Sequence, residues 1–317
     1  MTFPRFLAAV FLGAVLFLPG AARAQRATAP PLPADPAQFL RDVVKNELAA
    51  DAADISHWSY RLHREDEKNN YDRLVIESKD GELARTILWF GKPLTADLLA
   101  KDEERMHKLV TDPDDRAHRA KRKQDDEDKA KQLLQAIPDA FLFSYDSADD
   151  GGLVRLNFSP NPHYSPPTRE MQVFRAMAGH IWIDRAAMRL AGIDGALTSD
   201  VKFGWGLLGH LDKGGSFKAV HKNVGANHWE TVSLDINMTG RAIIFKTIDV
   251  KQQERMSDFR RVRDNLSIDQ AYRLLQKEPS TWTANDLAPT PPPASKACCA
   301  AAPVKVPTNS AVKDPQK

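Results

Sequence analysis

The sequence predicts an α+β fold carried by a long antiparallel meander. Three observations point there. The apolar period changes from helical to alternating at His57. Asp80-Gly81, a strong hairpin signal, separates two strand patterns. Strands then follow one another without the strand-helix-strand rhythm of a parallel sheet.

The elements follow in order. "MTFPRFLAAVFLGAVLFLPGAARAQ" holds Arg5, an apolar run from Phe6 to Leu18, and Ala22-Arg23-Ala24. That is the layout of a secretory signal. Its run is shorter than the about 20 residues of a membrane span. Export to the periplasm with cleavage after Ala24 is expected, leaving 1–24 as the signal peptide. Residues 25–34 are a Pro-rich linker. Asp35-Pro36 opens a helix, with Asp as cap and Pro in the first turn. Phe39, Leu40, Val43, Val44 and Leu48 form one stripe on it, which must lie on something.

Strands are predicted at 57–66, 70–79 and 83–91. Ile87, Leu88, Trp89 and Phe90 are apolar on both parities. A helical insert spans 95–137. Asp112-Pro113 breaks it, and its second helix runs from about 114 to 136. Arg116–Lys131 is almost wholly charged, and reads as a docking surface or as a solvated helix laced by pairs such as Asp125/Lys129 and Glu127/Lys131. Strand patterns resume with "AFLFSYD", "GLVRLNFSP" and "HIWID", and then many short strands. In "NHWETVSLDINMTGRAIIFKTIDV", Thr239-Gly240 is expected to turn the chain. The strand after it is apolar on both parities, with Ile243 and Phe245 on one and Ile244, Ile248 and Val250 on the other. A short helix is predicted in "SIDQAYRLLQKE". The domain is bounded at 35–286, and 287–317 reads as a disordered Pro/Ala-rich tail.

Composition excludes some functions. The formal charge is +2. Arg5 and Arg23 leave with the signal, so the exported chain is near neutral and is not expected to bind nucleic acid. The only two cysteines, Cys298 and Cys299, lie in the tail, so the body must hold by packing rather than by disulfides.

Catalytic signals are weak. G-x-S-x-G and H-E-x-x-H are absent. Gly204-Trp205-Gly206-Leu207-Leu208-Gly209 matches G-x-G-x-x-G, but no βαβ unit follows it. His221 and His228 stand seven apart. His180 and Asp184 share a strand face, which suits a two-ligand site or a hydrolase pair without a third partner. Asp184, Asp194 and Asp200 read as turn residues. Arg255, Arg260, Arg261 and Arg263 suit lipid headgroups, an anionic partner or a solvated edge. No catalytic residue, metal or cofactor is assigned, and the chain is read as a non-enzyme.

The steps "HIWID", "AGIDG", "GWGLLGHLDKGG" and "HWE…TGRAIIFK", in this order after a signal and an amphipathic helix, resemble the LolA-like superfamily of exported proteins. These are periplasmic carriers of outer-membrane lipoproteins and related envelope-stress regulators. The likeness covers most of 36–264. It implies a strongly curved antiparallel sheet, a half-open barrel closed by helices, whose apolar cavity receives an acyl chain. On that reading Trp58, Leu88, Trp89, Phe90, Trp182, Trp205, Ile243 and Phe245 line the cavity; they equally suit the core of an ordinary two-layer domain. The insert at 101–131 and the tail depart from the carrier pattern. The resemblance implies a monomer that binds a lipid or lipoprotein acyl chain and touches the membrane peripherally. The alternatives are a sensor or scaffold that binds an envelope protein through the charged insert and, behind it, a hydrolase.

Overall fold

The computed structural model describes residues 32–150, 152–203, 209–242, 246–283 and 286–287. The chain divides into two units, Met1–Ala34 and Asp35–Lys317. The first is described only at 32–34, which carries no helix or strand. The second is α+β, as predicted. Its helices are α1 (Pro36–Ala53), α2 (Ala96–Thr111), α3 (Pro113–Ala140) and α4 (Ile268–Leu275). Its strands are β1 (His57–Asp66), β2 (Asn70–Ser78), β3 (Gly81–Trp89), β4 (Lys92–Pro93), β5 (Phe141–Asp150), β6 (Leu153–Pro160), β7 (Met177–Asp184), β8 (Arg189–Leu197), β9 (Val201–Phe203), β10 (Gly209–Leu211), β11 (Ser216–Gly225), β12 (His228–Ala242) and β13 (Lys246–Val262). They form one antiparallel sheet in the order β4-β3-β2-β1-β13-β12-β11-β8-β7-β6-β5, with β10 and β9 branching from β12. The sheet is not closed into a barrel, since β4 and β5 end its order.

Local chemistry fixes the helix ends. Asp35 accepts the Ala37 N–H at 2.8 Å, and Pro36 occupies the first turn. Asp112 ends α2 through its own N–H and caps α3 by accepting the Asp115 N–H at 2.9 Å. Helix α3 continues past the predicted end, through Pro138 to Ala140. Pro138 removes one helical hydrogen bond in the last turn, and burial of Pro138 and Ala140 offsets that loss. The charged stretch of α3 is laced differently from expectation. Lys121 pairs with Asp125, Lys123 with Glu127 and Lys129 with Asp126, whereas Lys131 reaches Asp51 of α1 at 3.0 Å.

The expected turn at Thr239-Gly240 is corrected. β12 runs straight through it, with Thr239 opposite Asp249 and Gly240 opposite Ile248. Glycine is needed there for another reason: a Cβ on Gly240 would overlap the His210 carbonyl oxygen of β10. The chain reverses instead between Ala242 and Lys246, and Ile243, Ile244 and Phe245 lie outside the described residues. "KQQERMSDFRRV" forms the longer part of β13, up to Val262.

Partners in an antiparallel ladder share a face. Following the register gives one row across ten strands: Tyr145, Leu156, Ile181, Ile193, Ala219, Leu234, Glu254, Arg64, Tyr71 and Trp89. Helix α1 and the end of α3 pack on the β5–β8 end of this face, around Phe39, Leu40, Val43, Leu156, Ile181 and Ile183. At the other flank, Leu74 and Ile76 have the opposite parity. With Leu83 they pack against Met106 and Leu109 of α2 and against α4. The two helix layers therefore cover opposite faces of one sheet. Among the described residues no helix is long and apolar enough to cross a membrane.

Candidate functional site

The stripe of α1 does not seal completely onto the sheet. Between α1, the end of α3 and strands β7, β8, β11 and β12 lies a cavity of about 230 Å³. Its wall is mostly Leu40, Val44, Leu134, Ile137, Ile181, Leu190 and Ile193. Ile181 and Ile193 come together because they face each other across β7 and β8. A bulge follows, where Trp182 opposes Gly192 and Ile183 opposes Leu190.

Glu47, Leu134, Arg189 and Trp229 also border a second, larger space of about 700 Å³. This vestibule lies beside the end of α1, the middle of α3 and the β11–β12 turn. The turn residues Ala226 and Asn227 both have positive φ, 50° and 62°, as a type I′ hairpin requires.

An ion pair stands where the two spaces meet. Arg189 Nη2 lies 2.8 Å from Glu47 Oε2, and the two side chains are only 10% and 15% exposed. The other Glu47 oxygen accepts the Leu190 N–H at 2.5 Å. Asn46 donates to the Met188 carbonyl at 3.0 Å. With the Asn46 amide also 3.4 Å from the Ala187 carbonyl, four polar contacts tie α1 to the β7–β8 turn and the start of β8. The Arg189 guanidinium lies 5.6 Å from the centroid of the Trp229 ring. Arg189 Nε and Trp229 Nε1 are buried without a hydrogen-bond partner.

Further out, His228 donates its Nδ1–H to Asp54 (2.6 Å) and lies 3.5 Å from Glu230, while its ring stacks on Trp58 at 4.9 Å. Burial disfavours its charged form. The hydrogen bonds with Glu230 and Asp54 outweigh burial and raise its pKa above the usual imidazole value. His221, which lines the apolar cavity, is shifted the other way by burial and bonds Thr231 at 3.2 Å. The two histidines singled out by their spacing therefore have separate partners. Among the described residues no cluster of three metal-ligating side chains occurs.

The eight side chains named for the cavity are not one set. Trp58 is buried at the vestibule edge and donates to Ser56 Oγ at 2.8 Å. Trp89 is on the same face but stacks on Tyr71, about 17 Å along the strands from the residue opposite Trp58's neighbour Ser59. Leu88 and Trp182 fall on the opposite face by register. Phe90 is 55% exposed in a turn with φ 51°. Trp205, Ile243 and Phe245 lie outside the described residues, as do Cys298 and Cys299.

The pair His180–Asp184 is also corrected. His180 bonds Asp194 across the ladder at 2.9 Å, and Asp194 stands inside β8 rather than in a turn. Asp184 instead accepts the Ala187 N–H. His180 and Asp194 line an open groove of about 770 Å³ on the opposite face, with Lys218, Asp235 and Gln253 in the same row. Arg255, Arg260 and Arg261 are engaged by Asp235, the Pro279 carbonyl and Asp264.

The residues that sequence reasoning missed are Glu47, Arg189 and Trp229. Their signal was faint: one acid at the polar margin of the α1 stripe and one arginine heading a strand. No known protein family matches the sequence. No curated protein matches it either.

Proposed function

We propose that the chain is an exported, non-enzymatic carrier that takes an acyl chain or a comparable apolar ligand between α1 and the sheet. The sheet would act as the wall of a half-open barrel, in keeping with the LolA-like resemblance. The signal peptide would deliver the protein to the periplasm. The observation that supports this reading is the apolar cavity whose lining residues Glu47, Leu134, Arg189 and Trp229 also line a charged vestibule. A ligand with an apolar tail and a polar head matches that division.

The size of the cavity bounds the ligand. A methylene needs about the room of a water molecule in liquid, roughly 30 Å³, so the cavity takes about eight carbons. At about 0.8 kcal/mol each, their burial contributes roughly 6 kcal/mol, a Kd of tens of micromolar. Transfer needs such reversible binding and no catalyst.

Native mass spectrometry of residues 25–317, prepared from periplasm without detergent, tests the reading. Co-purified lipid, or uptake of an added octanoyl probe, is expected. Val44→Phe, which fills the cavity from α1, should fold and lose that uptake. A clean apo mass with no probe uptake would remove the carrier reading. A second reading, a scaffold that captures an envelope protein, is favoured by the exposure of α3 from Ala117 to Asp126. Charge reversal there should leave acyl uptake intact under the carrier reading and abolish partner capture under the scaffold reading.

A further inference from the structure

We propose that the mouth of the apolar cavity is an acceptor-oxygen site: Arg189 and Trp229 hold the carbonyl oxygen of an acyl ester or amide whose chain fills the cavity. This rests on the carrier reading above and specifies the ligand's head.

Two donors at the edge of the cavity lack partners. Arg189 is 8% exposed, and its Nε–H has no partner. Its Nη2 is already committed to Glu47. The Trp229 indole N–H is likewise buried and unpartnered. Both residues border the apolar cavity and the vestibule, so both stand where a tail would end and a head begin. The guanidinium sits near the indole ring, 5.6 Å from its centroid. A buried donor left unmade is costly, and most buried polar groups find a partner. Two donors at one junction call for an acceptor, and an alkyl chain alone has none. Neither residue carries a hydrogen-bond acceptor, and the Arg189 cation already lies over the Trp229 ring, so an ammonium head finds no acceptor on these two side chains and meets a like charge.

Charge selects among acceptors. The vestibule holds six carboxylates against Lys131, Arg189, Arg261 and His228. Arg189 is already neutralised by Glu47 at 2.8 Å. A free carboxylate or phosphate would enter an excess of negative charge next to Glu47. A neutral carbonyl oxygen takes the same two hydrogen bonds without that repulsion. The ligand class is therefore a neutral acyl ester or amide.

The test uses methyl octanoate and sodium octanoate on the full exported chain. Trp229→Phe keeps an aromatic wall and removes the indole donor. Arg189→Lys keeps a cation for Glu47 and removes the Nε–H. Binding is read by calorimetry, and the Trp229 indole N–H by NMR, assigned by its loss in Trp229→Phe. The expected result is a downfield shift of that N–H on adding methyl octanoate. Each variant should then bind the ester about tenfold more weakly, with octanoate weaker than the ester on wild type. Because Arg189→Lys disturbs a buried pair, Trp229→Phe keeps the test open if the first does not fold. Equal ester binding by wild type and Trp229→Phe, with an unmoved N–H, overturns the acceptor site while leaving the apolar chamber standing. Octanoate binding more tightly than the ester overturns the choice of a neutral head. No binding of either probe overturns both the site and the carrier reading beneath it.

Discussion

Replacing Glu47 with Ala removes the counter-charge of Arg189 and the acceptor of the Leu190 N–H in one step. Both side chains of the pair are 15% exposed or less, so water screens the contact poorly. Removing one partner of such a pair typically costs about 3–5 kcal/mol, because the other charge stays buried alone. For a domain of this size that is a fall in Tm of roughly 6–20 °C. Urea unfolding followed by circular dichroism measures it, with the slope m unchanged if the unfolded state is the same. The paired change Glu47→Leu with Arg189→Met removes both charges and keeps volume, and should recover most of the loss. A cost under about 1 kcal/mol for Glu47→Ala would show that the pair is not effectively buried, since an exposed pair behaves that way. A double variant as unstable as the single one would show that the lone buried charge is not the source of the loss.

Other consequences follow from the same contacts. His228 has its pKa raised in the fold above the reference 6.5, so its contribution to stability is fully present below pH 6.5 and is lost as pH rises through the higher folded value. The urea midpoint should fall between pH 6 and pH 9, and His228→Gln should flatten that slope. His221 has the opposite sign: burial lowers its pKa, so it destabilises as pH falls below 6.5, and His221→Gln should lessen acid sensitivity. Gly240→Ala should cost about 1–3 kcal/mol and speed hydrogen exchange of the 209–211 amides, because the new Cβ pushes β10 off β12. Asp102 is 8% exposed and accepts from the Thr86 N–H at 2.9 Å, its hydroxyl at 2.8 Å and Arg105 at 2.7 Å, so Asp102→Ala should cost about 3 kcal/mol and loosen α2 from β3, read by urea unfolding.

Much of the architecture was legible because it is local. Asp35-Pro36, Asp112-Pro113 and Asp80-Gly81 each carry their own chemistry, and the strands 57–66 and 70–79 emerge within one residue of their predicted limits. Gly240 misled for a physical reason. Its glycine serves a contact with β10, some thirty residues earlier, and nothing local distinguishes that from a turn. The site was less legible still. Apolar content on both parities pointed to strands buried on two sides, but parity alone does not say which strand lies under which helix. The register across β7, β8, β11 and β12 decides that, and it puts Ile181 and Ile193 under Leu40 and Val44 while sending Trp182 and Leu88 to the other face. Aromatic residues drew attention as cavity lining, yet two of the four described serve stacking pairs: Trp58 with His228, Trp89 with Tyr71. Glu47 and Arg189 lie far apart in sequence, so their pairing could not be read from either segment.

An acyl chain held between α1 and the sheet would lie against Leu40, Val44, Ile181 and Ile193. The most direct measurement is photocrosslinking with a methyl octanoate analogue that carries a diazirine at the chain end, followed by peptide mapping. Label is expected on Leu40, Val44, Ile181 or Ile193, lost on competition with unlabelled ester. Label on Ser216, Lys218 or Asn237 in the open groove of the opposite face, or no saturable label, would contradict it.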